Sequence, residues 1–109
     1  MPQVTLPFLY HCRADSRLAV TTGAVVVLEA AKIKHPTYGP AQAVYITVED
    51  NAIRRTYSGT TPTTGADGVG AIMNDGDSLL IQGGINIQNL KMISLSGNAV
   101  VQAEYFYEK

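Results

Sequence analysis

Residues 43–48 read Ala43-Val44-Tyr45-Ile46-Thr47-Val48. Val44, Ile46 and Val48 fall on one side of an extended chain, and Ala43, Tyr45 and Thr47 on the other. This is the two-residue period of a strand with one buried face. The β-branched and aromatic residues that fill it pack well on a pleated surface. The same period returns on either side. From Asn51 to Tyr57, Ile53, Arg55 and Tyr57 alternate with Arg54 and Thr56. From Asn98 to Tyr107, Val101, Ala103, Tyr105 and Tyr107 alternate with Val100, Gln102, Glu104 and Phe106.

Turn residues separate these runs at short intervals: Thr22-Gly23, Pro36, Gly39-Pro40, Asp50-Asn51, Ser58-Gly59, Asp67-Gly68, Asp75-Gly76, Gly83-Gly84 and Gly97-Asn98. Glycine supplies positive φ, and Asp, Asn and Ser bond their own backbone. Short strands at this spacing predict an all-β fold, an antiparallel β-sandwich that is jelly-roll-like. About eight strands are expected, near 17–20, 24–28, 43–49, 52–58, 70–73, 77–82, 90–95 and 98–107. Residues 28–34 are composed for a short helix, with a strand or loop as the alternative. Residues 85–90 suit either a helical turn or a strand.

Residues 1–16 differ from the rest. Pro2 and Pro7 cannot donate to a ladder, and Val4, Leu6, Phe8, Leu9 and Tyr10 form an apolar set. They are read as an extended N-terminal arm or an irregular first strand, leaving residues 17–109 as a single β-sandwich domain. At 109 residues, such a domain buries roughly two-thirds of its unfolded surface, and assembly would add to its stability.

Charge narrows the partners. Eight Lys and Arg against nine Asp and Glu give −1. Phosphate binding is driven by a basic stripe, and Arg54-Arg55 and Lys32/Lys34 each sit beside acids, so no nucleic acid is expected. Only 16% of residues are charged, which suits a subunit that hides its faces in an assembly. The apolar run from Ala24 to Leu28 is far short of the ~20 residues a membrane span needs, and no basic stretch followed by a long apolar run marks a signal peptide. No membrane partner is expected.

Catalytic and metal chemistry find little material. Cys12, the only cysteine, excludes an internal disulfide and accords with synthesis in a reducing cytoplasm. His11 and Cys12 are chain neighbours, which point to opposite faces of a strand. One Cys and two scattered His do not make a zinc site. Asp75-Gly76-Asp77 and Asp67-Gly68 offer the hard oxygens calcium takes, but Asp-Gly is also ordinary turn chemistry, and plain turns are expected. The glycine-rich segments lack the lysine of a phosphate cradle. The chain is therefore expected to be no enzyme and to need no cofactor or metal. Its tyrosines leave protein contact, or sugar binding, as the available chemistry.

Residues 43–107 resemble a group of small tailed-bacteriophage virion proteins. The pieces that carry the likeness, in order, are AVYITVED, RRTYSGTTPTTG, GDSLLI, INIQNLKMISLSG and NAVVQAEYFY. The family often has Y-T-L-D-G before T-T-P-T. This chain has Arg55-Thr56-Tyr57-Ser58-Gly59, so the acidic residue and any role it serves do not carry over. The resemblance implies a virion structural protein made in the host bacterial cytoplasm. Its expected role is capsid decoration, or cement, that binds the major capsid protein or other virion proteins and stabilises the head shell. A neck or tail position is the alternative within the same particle. The chain is expected to associate with itself as a homo-oligomer, a trimer being the order expected. The candidate contact residues are Val4, Leu6, Phe8 and Tyr10 in the arm, Tyr57, Thr60, Thr61 and Pro62 in the Thr-Pro loop, and Tyr105, Phe106 and Tyr107 in the last strand. The G-T-T-P-T piece is also similar to small β domains appended to chitin-degrading enzymes, which keeps a carbohydrate-binding module as a further alternative.

Overall fold

The computed structural model describes residues 10–109. These are mostly β, 48% strand and 10% helix, in antiparallel sheets. In chain order the elements are β1 (His11–Val20), β2 (Val26–Val27), α1 (Ala30–Ile33), β3 (Lys34–His35), β4 (Gly39–Pro40), β5 (Ala43–Glu49), β6 (Ile53–Thr56), β7 (Ala71–Met73), β8 (Ser78–Gln82), α2 (Gly84–Asn89), β9 (Lys91–Ser94) and β10 (Ala99–Tyr107).

One four-stranded sheet has the order β1-β10-β5-β8 and is called sheet A. A second, sheet B, has the order β2-β9-β6-β7, and β3 and β4 form a two-stranded ribbon. The links β1–β2, β5–β6, β7–β8, β8–β9 and β9–β10 each carry the chain from one four-stranded sheet to the other. The β5–β6 link is tight enough that Asp50 takes φ +77°, a left-handed conformation that aspartate tolerates better than most residues.

The alternation seen in the sequence has a direct physical outcome. Val44, Ile46 and Val48 of β5 and Val101, Ala103, Tyr105 and Tyr107 of β10 lie in one buried cluster. Sheet B contributes Ile53, Met73 and Met92 to the same cluster, and Leu28, Ile87 and Leu90 join it from the connecting segments. Each large aliphatic side chain removed from water in this way stabilises the fold by about 1.5–3 kcal/mol before the entropy of ordering is counted.

Two strand boundaries differ from the sequence expectation, and one open choice is decided. The first strand runs from His11, not from residue 17, so residues 11–16, expected as part of an arm or of an irregular first strand, form an irregular start of β1 in sheet A and pair with β10. Their core-facing positions hold only Ala14 and Ser16, and a register shift between Cys12 and Ala14 breaks the alternation, so no apolar period marks them. The strand expected over 24–28 is reduced to Val26–Val27, because the chain turns into α1 at Ala30. Residues 85–90 resolve as the helix α2, anchored by the Ile87 N–H donating to the Gly83 carbonyl at 3.1 Å.

Candidate functional site

The expected contact residues separate into three groups. Val4, Leu6 and Phe8 lie outside the described residues. Tyr105 and Tyr107 face the core and are fully buried, and Pro62 is also fully buried; none of the three offers a contact surface. Thr60 and Thr61 are exposed, and Tyr10, Tyr57 and Phe106 are half-buried. Phe106 faces outward because its chain neighbours Tyr105 and Tyr107 face inward. On that outer face the register sets Phe106 opposite Ala43, and Glu104 opposite Tyr45, which is itself opposite Leu80 of β8. Tyr45 and Leu80 thus face each other directly and Phe106 lies diagonal to Tyr45, all three half-buried on the outer face of sheet A.

The two buried tyrosines have a different task. Tyr105 accepts the Glu29 N–H at 3.3 Å, and its hydroxyl is 3.1 Å from Ser16 Oγ. Ser16 Oγ donates to Glu29 Oε1 at 2.8 Å, and Lys32 Nζ closes the group by donating to Ser16 Oγ at 3.3 Å and lying 3.4 Å from Glu29 Oε2. Tyr107 donates to the Lys32 carbonyl at 2.6 Å. Both hydroxyls therefore tie the segment around α1 to the inner side of sheet A. Burial is the main reason that both phenols are pushed up, Tyr107 to about 12. The Tyr107 ring also meets His35 and Tyr38, each with centroids 5.7 Å away, and Arg13 lies 5.5 Å from the Tyr38 ring.

The Thr-Pro loop is built on Arg54. Its guanidinium donates to the Gly70 carbonyl at 2.9 Å and the Gly65 carbonyl at 3.1 Å. Gly68 is packed so closely that a Cβ there would lie 2.5 Å from the Thr63 carbonyl oxygen and 2.7 Å from Arg54 Nε. Thr56 Oγ1 donates to the Thr60 carbonyl, and Val69 N–H donates to Thr63 Oγ1 at 2.8 Å. The loop thus folds back over β6, which explains why Arg54 and Thr56 are buried although they lie on the side away from Ile53. Sequence reading treats Arg54-Arg55 as surface charge. The signal that could have marked Arg54 is its place between Ile53 and a glycine- and threonine-rich segment full of carbonyls.

Four large apolar side chains are exposed among the described residues: Val27 and Ile72 on the two edge strands of sheet B, Val69 in the loop before β7, and Ile85 on α2. Val27 on β2 is 51% exposed and Ile72 on β7 is 49% exposed. Val27 pairs in register with Lys91 and Ile72 with Arg54, so both are on the outer side, opposite to Met92 and Ile53. Next to Val27 lies an open groove of about 350 Å³ lined by Val27, Leu28, Ala30, Ile33, Lys34 and Gln88. Ile85 is three residues before Gln88 on α2, on the same helical side, and is 75% exposed. Sequence reading does not mark Val27, Ile72 and Ile85 because each stands near other apolar residues (Val26 and Leu28, Ala71 and Met73, Ile87), and the string does not say which of them the fold covers.

The polar candidates serve the turns. Asp77 accepts the Asn74 N–H at 2.8 Å, and Asp75 accepts the Asp50 N–H at 3.2 Å. Among the described residues no three His, Cys, Asp or Glu side chains come together as a metal-binding group. Cys12 Sγ donates to the Ala14 carbonyl at 3.7 Å, and burial, then Glu104 and Asp15, push its thiol up, which disfavours the reactive thiolate. No helix among the described residues is long and apolar enough to cross a membrane. Compared with known proteins, the chain matches no family model, no curated protein and no solved structure.

Proposed function

We propose that this chain is a non-enzymatic structural subunit of a virus particle, a capsid decoration protein that binds copies of itself and neighbouring shell proteins. The observation that carries this reading is the state of sheet B: both of its edge strands bear a half-exposed large aliphatic residue, Val27 and Ile72. Free-standing proteins guard sheet edges with charge, proline, cover or very short edge strands; β2 and β7, of two and three residues, are short, yet each still turns its aliphatic side chain to solvent. Apolar side chains left at two opposite edges fit a subunit with neighbours on more than one side. The groove beside Val27 adds to the apolar surface at that edge, and Ile85 offers a further exposed apolar side chain on α2.

The fold proposed for the subunit is a jelly-roll β-sandwich. When only the strands of the two four-stranded sheets are numbered, the orders become 1-8-3-6 and 2-7-4-5, which is the arrangement two Greek keys give when wrapped together. That architecture recurs in viral capsid domains and lectins, which supports the reading without choosing between shell, neck and tail. The likeness of residues 43–107 to tailed-phage virion proteins supports a place in such a particle, with the shell preferred and a neck or tail position as the alternative.

Heat-induced DNA release from particles with and without the protein tests the role. Release at a lower temperature from particles lacking it is the expected result. Identical release curves would remove the cement role. About a dozen or fewer copies per particle, in place of hundreds, would move the subunit to the neck or tail.

A further inference from the structure

We propose that β1 of one copy pairs antiparallel with β1 of a second copy about a two-fold axis through Ser16, setting Asp15 of each against Arg17 of the other. The proposal deepens the assembly reading above and rests on it only for the expectation of self-association.

The backbone parity of sheet A decides which groups are available. The Val48 N–H donates to the Asp77 carbonyl, and the Gly83 N–H donates to the Gln42 carbonyl. The even-numbered residues of β5 therefore turn their backbone toward β8. Ala43, Tyr45, Thr47 and Glu49 turn toward β10, and bond to Phe106, Glu104, Gln102 and Val100. By alternation, Tyr105, Ala103 and Val101 turn toward β1, where their register partners are Ala14, Ser16 and Leu18. That leaves Asp15, Arg17 and Ala19 with their N–H and C=O aimed away from the sheet. Lys32 Nζ, which donates to the Asp15 carbonyl, stands on this free side. No other hydrogen bond to these backbone groups is found among the described residues.

An outward row of donors and acceptors is a template for another strand. Charge selects the strand and its register. Only Asp15, Arg17 and Ala19 can exchange backbone bonds across a two-fold, so the axis falls on Asp15, Ser16, Arg17, Leu18 or Ala19, the last of which sets Ala19 against its own copy and pairs no charges. An axis on Asp15 or Arg17 sets a charge against its own copy. An axis on Leu18 sets Arg17 against Ala19. The Ser16 axis alone opposes Asp15 to Arg17, and does so twice. Like charges directly opposite are destabilising and opposite charges stabilising.

Within one copy this charge is unsatisfied. Asp15 stands in register opposite Glu104, another acid. Among the described residues the one ion pair is Lys32–Glu29, so Asp15 and Arg17 are both exposed and without a charged partner. Arg17 of the second copy would bring a cation to the Asp15–Glu104 pair. The irregular register at Cys12 and Ala14 ends the shared ladder at that end, because a bulge turns the edge away. Lys32 must release the Asp15 carbonyl and retains Ser16 Oγ and the Glu29 carboxylate. The product is one continuous eight-stranded sheet, closed by the two-fold, in place of the trimer expected from sequence.

Sedimentation of the purified full chain over a wide micromolar range tests this, with Asp15→Arg, Arg17→Asp and the double exchange compared at low salt. Both positions are exposed, and matched melting curves check that each variant folds. The unaltered chain is expected to dimerise. Each single exchange should weaken the dimer on the order of tenfold, since two attractive pairs become two repulsive ones, and the double exchange should restore it. A monomeric unaltered chain, a dimer indifferent to the single exchanges, or a double exchange that stays monomeric would each overturn the two-fold. None of these would touch the particle reading, which the DNA-release experiment judges separately.

Discussion

The Tyr105 hydroxyl lies 3.1 Å from Ser16 Oγ, across the β10–β1 pair, while accepting the Glu29 N–H at 3.3 Å. One phenol oxygen therefore joins an edge strand to the segment entering α1, inside a fully buried position. Tyr105→Phe keeps the ring and removes the oxygen, leaving the Glu29 N–H and Ser16 short of a partner. The expected cost is about 1–3 kcal/mol, read as a lower denaturant midpoint with an unchanged slope. A midpoint equal to that of the unaltered protein would show that these bonds are replaced by water.

Tyr107 gives a pH dependence with a definite sign. Its phenol, ordinarily near 10.0, is pushed to about 12 in the folded protein, chiefly by burial and then by Tyr105 and Cys12 nearby. The folded state thus holds the proton more tightly than the unfolded chain. The resulting stability is fully present below pH ~10 and is lost as pH rises toward ~12. Denaturation measured from pH 8 to 12 should show stability falling above 10, and Tyr107→Phe should flatten that fall.

Arg54 holds the Thr-Pro loop through the Gly65 and Gly70 carbonyls. Arg54→Ala should destabilise the protein by about 2–4 kcal/mol, since charged hydrogen bonds and packing are lost together. It should also open the segment between Tyr57 and Gly70 to protease. Gly68→Ala should act the same way, because its Cβ would meet the Thr63 carbonyl and Arg54. Unchanged cleavage at this loop in both variants would show that the guanidinium does not hold it.

Ile85, at 75% exposure, contributes little to the fold and is available to a neighbour. Ile85→Asp is expected to change stability by no more than about 0.5 kcal/mol and to lower incorporation into particles. Val27→Asp and Ile72→Asp should also lower incorporation, each at its own edge of sheet B. Quantifying the variant in purified particles checks this. Normal incorporation of all three would place the contacts elsewhere.

The sequence showed the strands that face a core on one side only. Val44, Ile46, Val48, Val101, Ala103, Tyr105 and Tyr107 alternate cleanly, and the structure buries them together. It did not show the first half of β1, where Ala14 and Ser16 carry no hydrophobic contrast and the register slips beside Arg13. Nor did it show which face of β10 is inner. Aromatic residues stand on both, and the structure buries the face of Val101, Ala103, Tyr105 and Tyr107, where the Tyr105 hydroxyl meets Ser16 and the Glu29 N–H. Contact residues were the least legible. A buried Tyr107 and a half-buried Phe106 look alike in a string, whereas Val27, Ile72 and Ile85 become a surface only once two sheet edges and a short helix are placed.

Imaging purified particles at residue resolution bears most directly on the central claim that other protein chains cover the apolar edges of this fold. The account expects the chain in many copies on the shell, with Val27 and Ile72 packed against neighbouring chains. Particles without the chain, or copies in which both residues still face solvent, would contradict it.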